Sequence, residues 1–121
     1  MAIETVDGNS EIRNEILSGN DDQFFDVKHK AIKPAELQKH YVALANTDGG
    51  DLYVGILDPE EKGNRIQGFS KPEDSNDHIN TILTLTKPAV EGTLVEHINF
   101  GSDGYVLHIM VPKSPSVHYT A

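Results

Sequence analysis

The chain has 121 residues, no cysteine and a formal net charge of −9. This length is typical of a single domain, and the missing thiols exclude disulfides, thiolate metal sites and a cysteine nucleophile. No basic and apolar leader precedes Asp7, and the longest apolar run, residues 41–45, is too short to cross a bilayer. We therefore expect a cytoplasmic domain that makes no membrane contact.

The first half of the chain predicts two helices alternating with two strands. Ser10 is a predicted N-cap for a helix that ends at Gly19, because glycine accepts the left-handed conformation after a helix. Residues 23–30 alternate as a strand does, with Lys30 on the polar side. Pro34 suits the first turn of a helix over residues 34–45. Residues 52–57 are apolar on both sides, as in a central strand.

The second half predicts a third helix and a hairpin. Asp74 or Ser75 can cap a helix that reaches Leu83 and breaks at the Lys-Pro pair of residues 87–88. Residues 93–100 and 105–111 are predicted strands joined by a Gly-Ser-Asp-Gly turn, and residues 117–120 resume a strand pattern. The interleaved elements indicate one α/β (α+β) domain over residues 1–121, with a mixed β-sheet and about three packed helices.

Cationic residues concentrate between positions 28 and 40, in spite of the acidic net charge. Lys28, Lys30, Lys33 and Lys39 lie there, together with two histidines. Polyanion binders usually carry a basic surplus, so a net charge of −9 indicates weak nucleic-acid binding that runs through this local patch. The alternative interpretation is a solvated face that binds nothing.

Several stretches, in this order, resemble one family. Residues 25–28, Phe-Asp-Val-Lys, resemble its Glu-Phe-Lys strand. Residues 45–50, Ala-Asn-Thr-Asp-Gly-Gly, run into Asp-Leu-Tyr-Val-Gly-Ile and resemble its signature. Gln67-Gly68 and residues 106–112 resemble its later turn and strand. The pattern is similar to the Schlafen AlbA-type domain, once described as divergent AAA.

That resemblance implies a nucleic-acid (DNA)-binding module of a predicted transcriptional regulator. Such modules usually stand at the N-terminus of longer proteins, often before a winged-helix segment. We therefore expect residues 1–121 to be the N-terminal part of a longer protein. The expected partners are nucleic acid, bound weakly, the C-terminal domain of the full-length protein and a second copy of the chain.

The family-motif turn, made of Asn46, Thr47, Gly49 and Gly50, has a structural and a binding interpretation. Structurally, one glycine takes a positive φ to reverse the chain, while Asn46 and Thr47 cap the last helical carbonyls. Alternatively, the turn offers N–H groups to a phosphate. A helix C-terminus disfavours anions, and the chain has no Gly-x-x-x-x-Gly-Lys-Ser/Thr pattern. We favour the structural interpretation and expect no cofactor.

Asp21, Asp26 and Asp58 fall at or near the positions that bind a metal in Schlafen ribonucleases. The resemblance thus offers, as an alternative function, a metal-dependent endoribonuclease that uses Mg²⁺ or Mn²⁺. Two of these aspartates stand where the family has glutamates, and Leu57 competes with Asp58 for the third position. We favour the interpretation in which Asp26 pairs with Lys28, and we predict no metal and no RNA cleavage.

A third alternative is a non-catalytic interaction or dimerisation module, which the acidic charge favours. The six histidines form no His-x-x-x-His pair, so no zinc site is predicted. His97 and His108 lie on the two strands of the predicted hairpin and could be cross-strand neighbours.

Overall fold

The computed structural model describes residues 3–19, 25–115 and 117–119. These residues form β1 (Glu4–Asp7), α1 (Ser10–Ser18), β2 (Phe25–Lys28), α2 (Pro34–Ala45), β3 (Gly50–Val54), α3 (Asn76–Leu85), β4 (Leu94–Asn99) and β5 (Tyr105–Val111). The strands build one sheet in the order β1-β4-β5-β3-β2. The β1–β4 and β2–β3 pairs are parallel, whereas β5 runs antiparallel to β4 and β3. The predicted mixed sheet with three helices is therefore confirmed.

Helices pack on both faces of the sheet. On one face, Leu37 and Tyr41 of α2 and Ile82 of α3 are buried in the same cluster as Leu52 and Leu107 of the strands. On the other face, α1 contributes to a smaller cluster that comprises Ile16, Val27, Ile56, Ile66, Ile98 and Val106. Each strand interior is thus apolar on the side that a helix covers, which fixes the register of the sheet.

The ends of α1 differ from the predicted ones. Asn9, not Ser10, is the N-cap, because its side chain accepts a hydrogen bond from the Ile12 N–H at 2.8 Å. Gly19 has a φ of −69°, so the predicted left-handed glycine is wrong. Space explains this glycine instead, since an added Cβ would lie 2.8 Å from the Phe25 ring.

The strands β2 and β3 are shorter than predicted. β2 ends at Lys28, so Lys30 lies in a turn, while residues 23 and 24 lie outside the described residues. β3 ends where Gly55 takes a φ of 112°, and Ile56 forms only an isolated bridge. Asp58 therefore lies in a turn and does not end a strand, contrary to prediction. β3 is an interior strand, as predicted, because it lies between β2 and β5. The middle strand of the five is β5.

Two further features of the sheet correct the sequence analysis. β1 is absent from the predicted elements because its four residues carry one apolar side chain, Val6, and are mostly exposed. The β4–β5 hairpin is confirmed, but its register places Glu96 opposite His108 and His97 opposite Leu107. Neighbouring positions on a strand point to opposite faces, so His97 and His108 are not cross-strand neighbours.

The third helix begins without the predicted side-chain cap. Ser75 is the N-cap residue of α3, but its hydroxyl donates to the Pro72 carbonyl at 2.8 Å and caps no helical N–H. Residues Pro72–Ser75 form a short 3₁₀ turn that leads directly into α3. The turn satisfies its backbone through its own i→i+3 bonds, which replaces the cap.

The family-motif turn closes α2 onto the end of β5. Gly49 and Gly50 have φ values of 77° and 148°, so the predicted positive φ is confirmed. At Gly49 an added Cβ would lie 2.4 Å from the carbonyl oxygen of Val111. Conformation and space therefore both require glycine at this position.

The side chain of Asn46 holds a later segment of the chain instead of its own helix. It accepts from the His118 N–H at 2.9 Å and donates to the His118 carbonyl at 3.1 Å. Asn46 is the C-cap residue of α2 as predicted, but it caps through its backbone N–H, which donates to the Val42 carbonyl, and not through its side chain. For Thr47 the predicted capping is confirmed, because Oγ1 donates to the Ala43 carbonyl at 2.9 Å. The His118 ring is buried and donates from Nδ1 to the Pro88 carbonyl, which anchors the segment further.

We expect Asn46→Ala to lower the free energy of unfolding by about 2 kcal/mol, because two backbone groups of His118 lose their partners. Urea denaturation measures this change. The matched control is Asn80→Ala, which truncates an exposed asparagine of α3. That change should stay within about 0.5 kcal/mol. Similar values for the two variants would contradict the role given to Asn46.

Candidate nucleic-acid interface

The lysine loop, defined as residues 28–33, connects β2 to α2 at one end of the sheet. β2 and β3 are parallel neighbours, so their carboxyl ends meet at this edge. Ligands of open α/β sheets bind outside the carboxyl ends of the strands. The lysine loop therefore lies where open α/β sheets bind their ligands.

Hydrogen bonds to other elements hold the lysine loop in place. The Lys30 ammonium donates to the Gly68 carbonyl at 3.2 Å, which ties the loop to a distant turn. His78 of α3 donates from Nε2 to the Ile32 carbonyl at 2.6 Å. The His78 ring is buried, and its Nδ1 has no hydrogen-bond partner among the described residues. The loop is thus fixed before any ligand arrives.

Two of the four predicted lysines are paired with carboxylates. Lys28 Nζ lies 3.3 Å from Asp26 Oδ2, and Lys39 Nζ lies 3.2 Å from Glu36 Oε1. Each carboxylate offsets the positive charge of its lysine and occupies the position that a phosphate oxygen would take beside the ammonium group. These two lysines therefore contribute little attraction for a polyanion.

The positive charge of Lys30 and Lys33 is not cancelled in this way. Both side chains are exposed, and neither has a carboxylate partner within the part of the chain that the structure describes. Lys33 is the N-cap residue of α2 and makes no side-chain capping bond, and Pro34 follows it. The free N–H groups and positive dipole end of a helix N-terminus attract anions. Glu36 adds a carboxylate to the first turn of α2, but it is paired with Lys39. We call Lys30, Lys33 and this helix end the cationic region.

The three candidate metal ligands do not form a described cluster. Asp21 lies outside the described residues. Asp26 pairs with Lys28, as predicted, and its Oδ2 also lies 3.6 Å from His40 Nδ1. Asp58 is exposed in the turn after β3. Across residues 3–19, 25–115 and 117–119, no group of three or more His, Asp or Glu side chains could hold a metal ion.

Two cavities border the lysine loop, and the sequence analysis did not predict either. One, of about 370 Å³, lies between the loop and the turn after β3 and has Ile32 and Leu57 among its walls. The other has a similar volume and is lined by Lys30, Ser70 and Ser102. Both arise where turns from separate parts of the chain meet, so no local sequence pattern signals them.

A serine–histidine pair beside β4 has no catalytic geometry. Ser75 Oγ lies 2.8 Å from His97 Nε2, but the hydroxyl proton is donated to the Pro72 carbonyl. His97 Nε2 must therefore donate to Ser75 and cannot accept its proton. Ser75 is also fully buried. The pair stabilises the start of α3.

This pair makes stability depend on pH. Burial lowers the pKa of His97, and the nearby Glu73 carboxylate opposes the shift only in part. The folded chain therefore favours the neutral ring. Its contribution is fully present above about pH 6.5, the ordinary histidine pKa, and is lost as the pH falls below it.

We expect the free energy of unfolding to decrease as the pH falls below about 6.5. His97→Gln keeps a donor toward Ser75 but does not titrate, so the decrease should be smaller in this variant. Urea denaturation at a series of pH values measures both slopes. Equal slopes would show that His97 contributes no pH dependence.

On the sheet face opposite to the one that carries His97, His108 bonds to carboxylates on two neighbouring strands. We call these three side chains the charged ladder. His108 Nδ1 lies 2.8 Å from Glu96 Oε2, and His108 Nε2 lies 2.8 Å from Asp51 Oδ1. The His108 ring stacks on Tyr53 at a centroid distance of 4.3 Å. Burial, with the nearby Asp51 carboxylate, raises the pKa of Tyr53. The two carboxylates face opposite sides of the imidazole, so the ladder joins three strands and is not a metal site.

A known protein family matches most of the chain. The sequence profile of a family described as Schlafen, AlbA_2 matches residues 21–121. The matched range runs from β2 to β5 and includes both the lysine loop and the family-motif turn. A search of curated proteins found no match. No described helix combines the length and the apolar character needed to span a membrane.

Proposed function

Because the chain belongs to the Schlafen AlbA_2 family, we propose that it is a nucleic-acid-binding module whose lysine loop contacts the phosphate backbone. The observation that carries the proposal is the cationic region of Lys30, Lys33 and the N-terminus of α2. Two ammonium groups and the free N–H groups of a helix end are suitable ligands for adjacent phosphates.

The proposed binding is weak and depends on salt. The net charge of −9 repels a polyanion at long range, and few phosphates can be contacted by two lysines. Affinities in the range of about 10⁻⁴ to 10⁻⁶ M are usual for non-specific binding at physiological salt, and we expect the weak end. Counterion release from each contacted phosphate provides most of this affinity.

A transcriptional regulator is the specific role we propose for a protein that contains this module. Acting in the cytoplasm, it would bind DNA together with other parts of the assembly. The C-terminal domain of a longer protein, or a second copy of the chain, would add contacts. Linked binding sites raise the overall affinity by about 10²–10⁴. The proposed role needs no cofactor.

Direct binding measurements test the proposal. Fluorescence anisotropy with labelled 20-nucleotide DNA and RNA, at low and physiological salt, should give saturable binding that weakens as salt rises. The expected dissociation constant at physiological salt is about 10⁻⁴ M. Absence of binding at low salt for every oligonucleotide would contradict the proposal.

We do not propose a metal-dependent ribonuclease. Asp26, the candidate ligand with described contacts, is paired with Lys28 and lies close to His40. A carboxylate that accepts from a lysine has less capacity for a cation. Incubation of transfer RNA with the protein and Mn²⁺ should leave the RNA intact. Cleavage that Asp26→Ala abolishes would overturn this.

A further inference from the structure

The cavity between the lysine loop and the turn after β3 has the size of a small-ligand site. Its volume is about 370 Å³, near the lower end of the range of about 300–1,000 Å³ that is typical of ligand pockets. It opens at the carboxyl ends of the parallel strands β2 and β3. A group smaller than a drug molecule can therefore enter it.

Part of the cavity lining is apolar. Ala31 and Ile32 line it from the lysine loop, and Leu57 lines it from the turn after β3. Ile32 is also packed against the main core, so this wall is rigid. Apolar walls favour contact with the flat face of a ring. They disfavour a phosphate, because its charge would lose water there without gaining a hydrogen-bond donor.

His29 adds an oriented ring to the rim. Its Nδ1 accepts a hydrogen bond from the Ala31 N–H at 2.9 Å, so the ring proton is on Nε2. The side chain is exposed and lines the cavity. Histidine rings stack on unstacked nucleobases in nucleic-acid-binding proteins. His29 can therefore stack on a ring that enters or donate a hydrogen bond to it.

Two carboxylates and Lys28 also line the cavity, and the Lys28 ammonium is paired with Asp26. Asp58 and Glu61 both line the cavity, and the Glu61 N–H donates to the Asp58 carbonyl in one turn. Ionised carboxylates only accept hydrogen bonds, so they repel a phosphate and suit a neutral group that carries N–H donors. The exocyclic amino groups of adenine, cytosine and guanine each offer two N–H donors, whereas thymine and uracil offer only one ring N–H, which lies between two carbonyls.

Charge is thus divided across the loop. Lys30 and Lys33 give a phosphate-binding side. The cavity is lined instead by apolar side chains, two carboxylates and one lysine, whose charge Asp26 offsets. We infer that this cavity takes one unstacked nucleobase with an amino group while the lysine loop holds the adjoining backbone, which selects single-stranded over duplex nucleic acid. A base inside a duplex is stacked and paired and cannot enter a pocket. The inference rests on the proposed function and specifies its substrate.

The test compares single strands of equal length and charge with one another, and then with the more highly charged duplex. Single strands of adenine or cytosine should bind about tenfold more tightly than an abasic backbone, which corresponds to one stacked base. They should also bind more tightly than the matching duplex, and thymine or uracil strands should be weaker. Fluorescence anisotropy at low salt gives each dissociation constant for the full chain.

Neutralising the rim separates base recognition from general charge. Asp58→Asn/Glu61→Gln should raise the affinity for every strand but remove the preference for amino-bearing bases. The matched control, Asp48→Asn/Glu91→Gln, makes the same charge change near the other end of the sheet and should leave the preference intact. Binding that ignores the bases overturns this inference and leaves the proposed function standing. Binding of no oligonucleotide overturns both.

Discussion

Gly49→Ala should lower the free energy of unfolding by about 3 kcal/mol, since strain and a steric clash act together. Residues that carry a side chain rarely adopt the φ of 77° that Gly49 has. The added Cβ would lie 2.4 Å from the Val111 carbonyl oxygen and 2.7 Å from the Lys113 backbone nitrogen. These are backbone atoms, so no rotamer change can relieve the contact. Either the family-motif turn or the end of β5 must move.

Gly63→Ala is the control that separates conformation from space. Gly63 has a φ of 87°, close to that of Gly49, but no atom of the described part of the chain lies within 4 Å of its added Cβ. Only the conformational cost remains, about 1 kcal/mol. Urea denaturation should therefore give a much larger loss for Gly49→Ala. Equal losses would show that close approach to β5 does not explain Gly49.

The second large effect concerns binding. Lys30→Glu/Lys33→Glu should weaken oligonucleotide binding more than about tenfold at low salt, because two phosphate contacts become repulsions. Both residues are exposed, and the double variant loses a single tertiary hydrogen bond, from Lys30 to the Gly68 carbonyl, so the circular dichroism spectrum should remain that of the folded domain. Lys39→Glu should have a smaller effect, since Glu36 already offsets the charge of Lys39.

Lys87→Glu/Lys113→Glu is the matched charge control. Each double variant lowers the net charge by four, from −9 to −13. Lys87 and Lys113 lie near the family-motif turn and the last residues, at the other end of the sheet from the lysine loop. This control should lose far less affinity. Equal losses would mean that overall charge, not the lysine loop, governs binding.

The parts of the fold that local patterns determine were predictable. The bounds of α2 match the predicted residues 34–45, because Pro34 and the helical spacing of apolar residues define both ends. The positive φ in the family-motif turn follows from the need to reverse the chain within a few residues. The family resemblance depends on the same stretches and is confirmed by the profile match.

The parts that depend on distant contacts were not predictable. The Asn46 side chain bonds to a residue 72 positions later, so local geometry suggested a helix cap instead. β1 carries too little apolar pattern and becomes a strand only beside β4. Glycine at position 19 reflects the Phe25 ring and not a positive φ.

The candidate site shows the same division. The pairing of Lys28 with Asp26 follows from two positions on one strand face, and the pairing of Lys39 with Glu36 from helical spacing. The bond from Lys30 to Gly68 spans 38 residues and has no local signal. The cationic region thus becomes visible only when the turns of the folded chain are brought together.

The salt dependence of binding tests most directly whether the lysine loop contacts phosphates. For a single strand, the logarithm of the association constant decreases with the logarithm of the salt concentration, and this slope becomes less steep by about 0.7 for each phosphate contact that is lost. The slope of Lys30→Glu/Lys33→Glu should therefore be shallower than that of the unmodified chain by about 1.4. An unchanged slope, or binding of the unmodified chain that does not depend on salt, would contradict nucleic-acid binding through this loop.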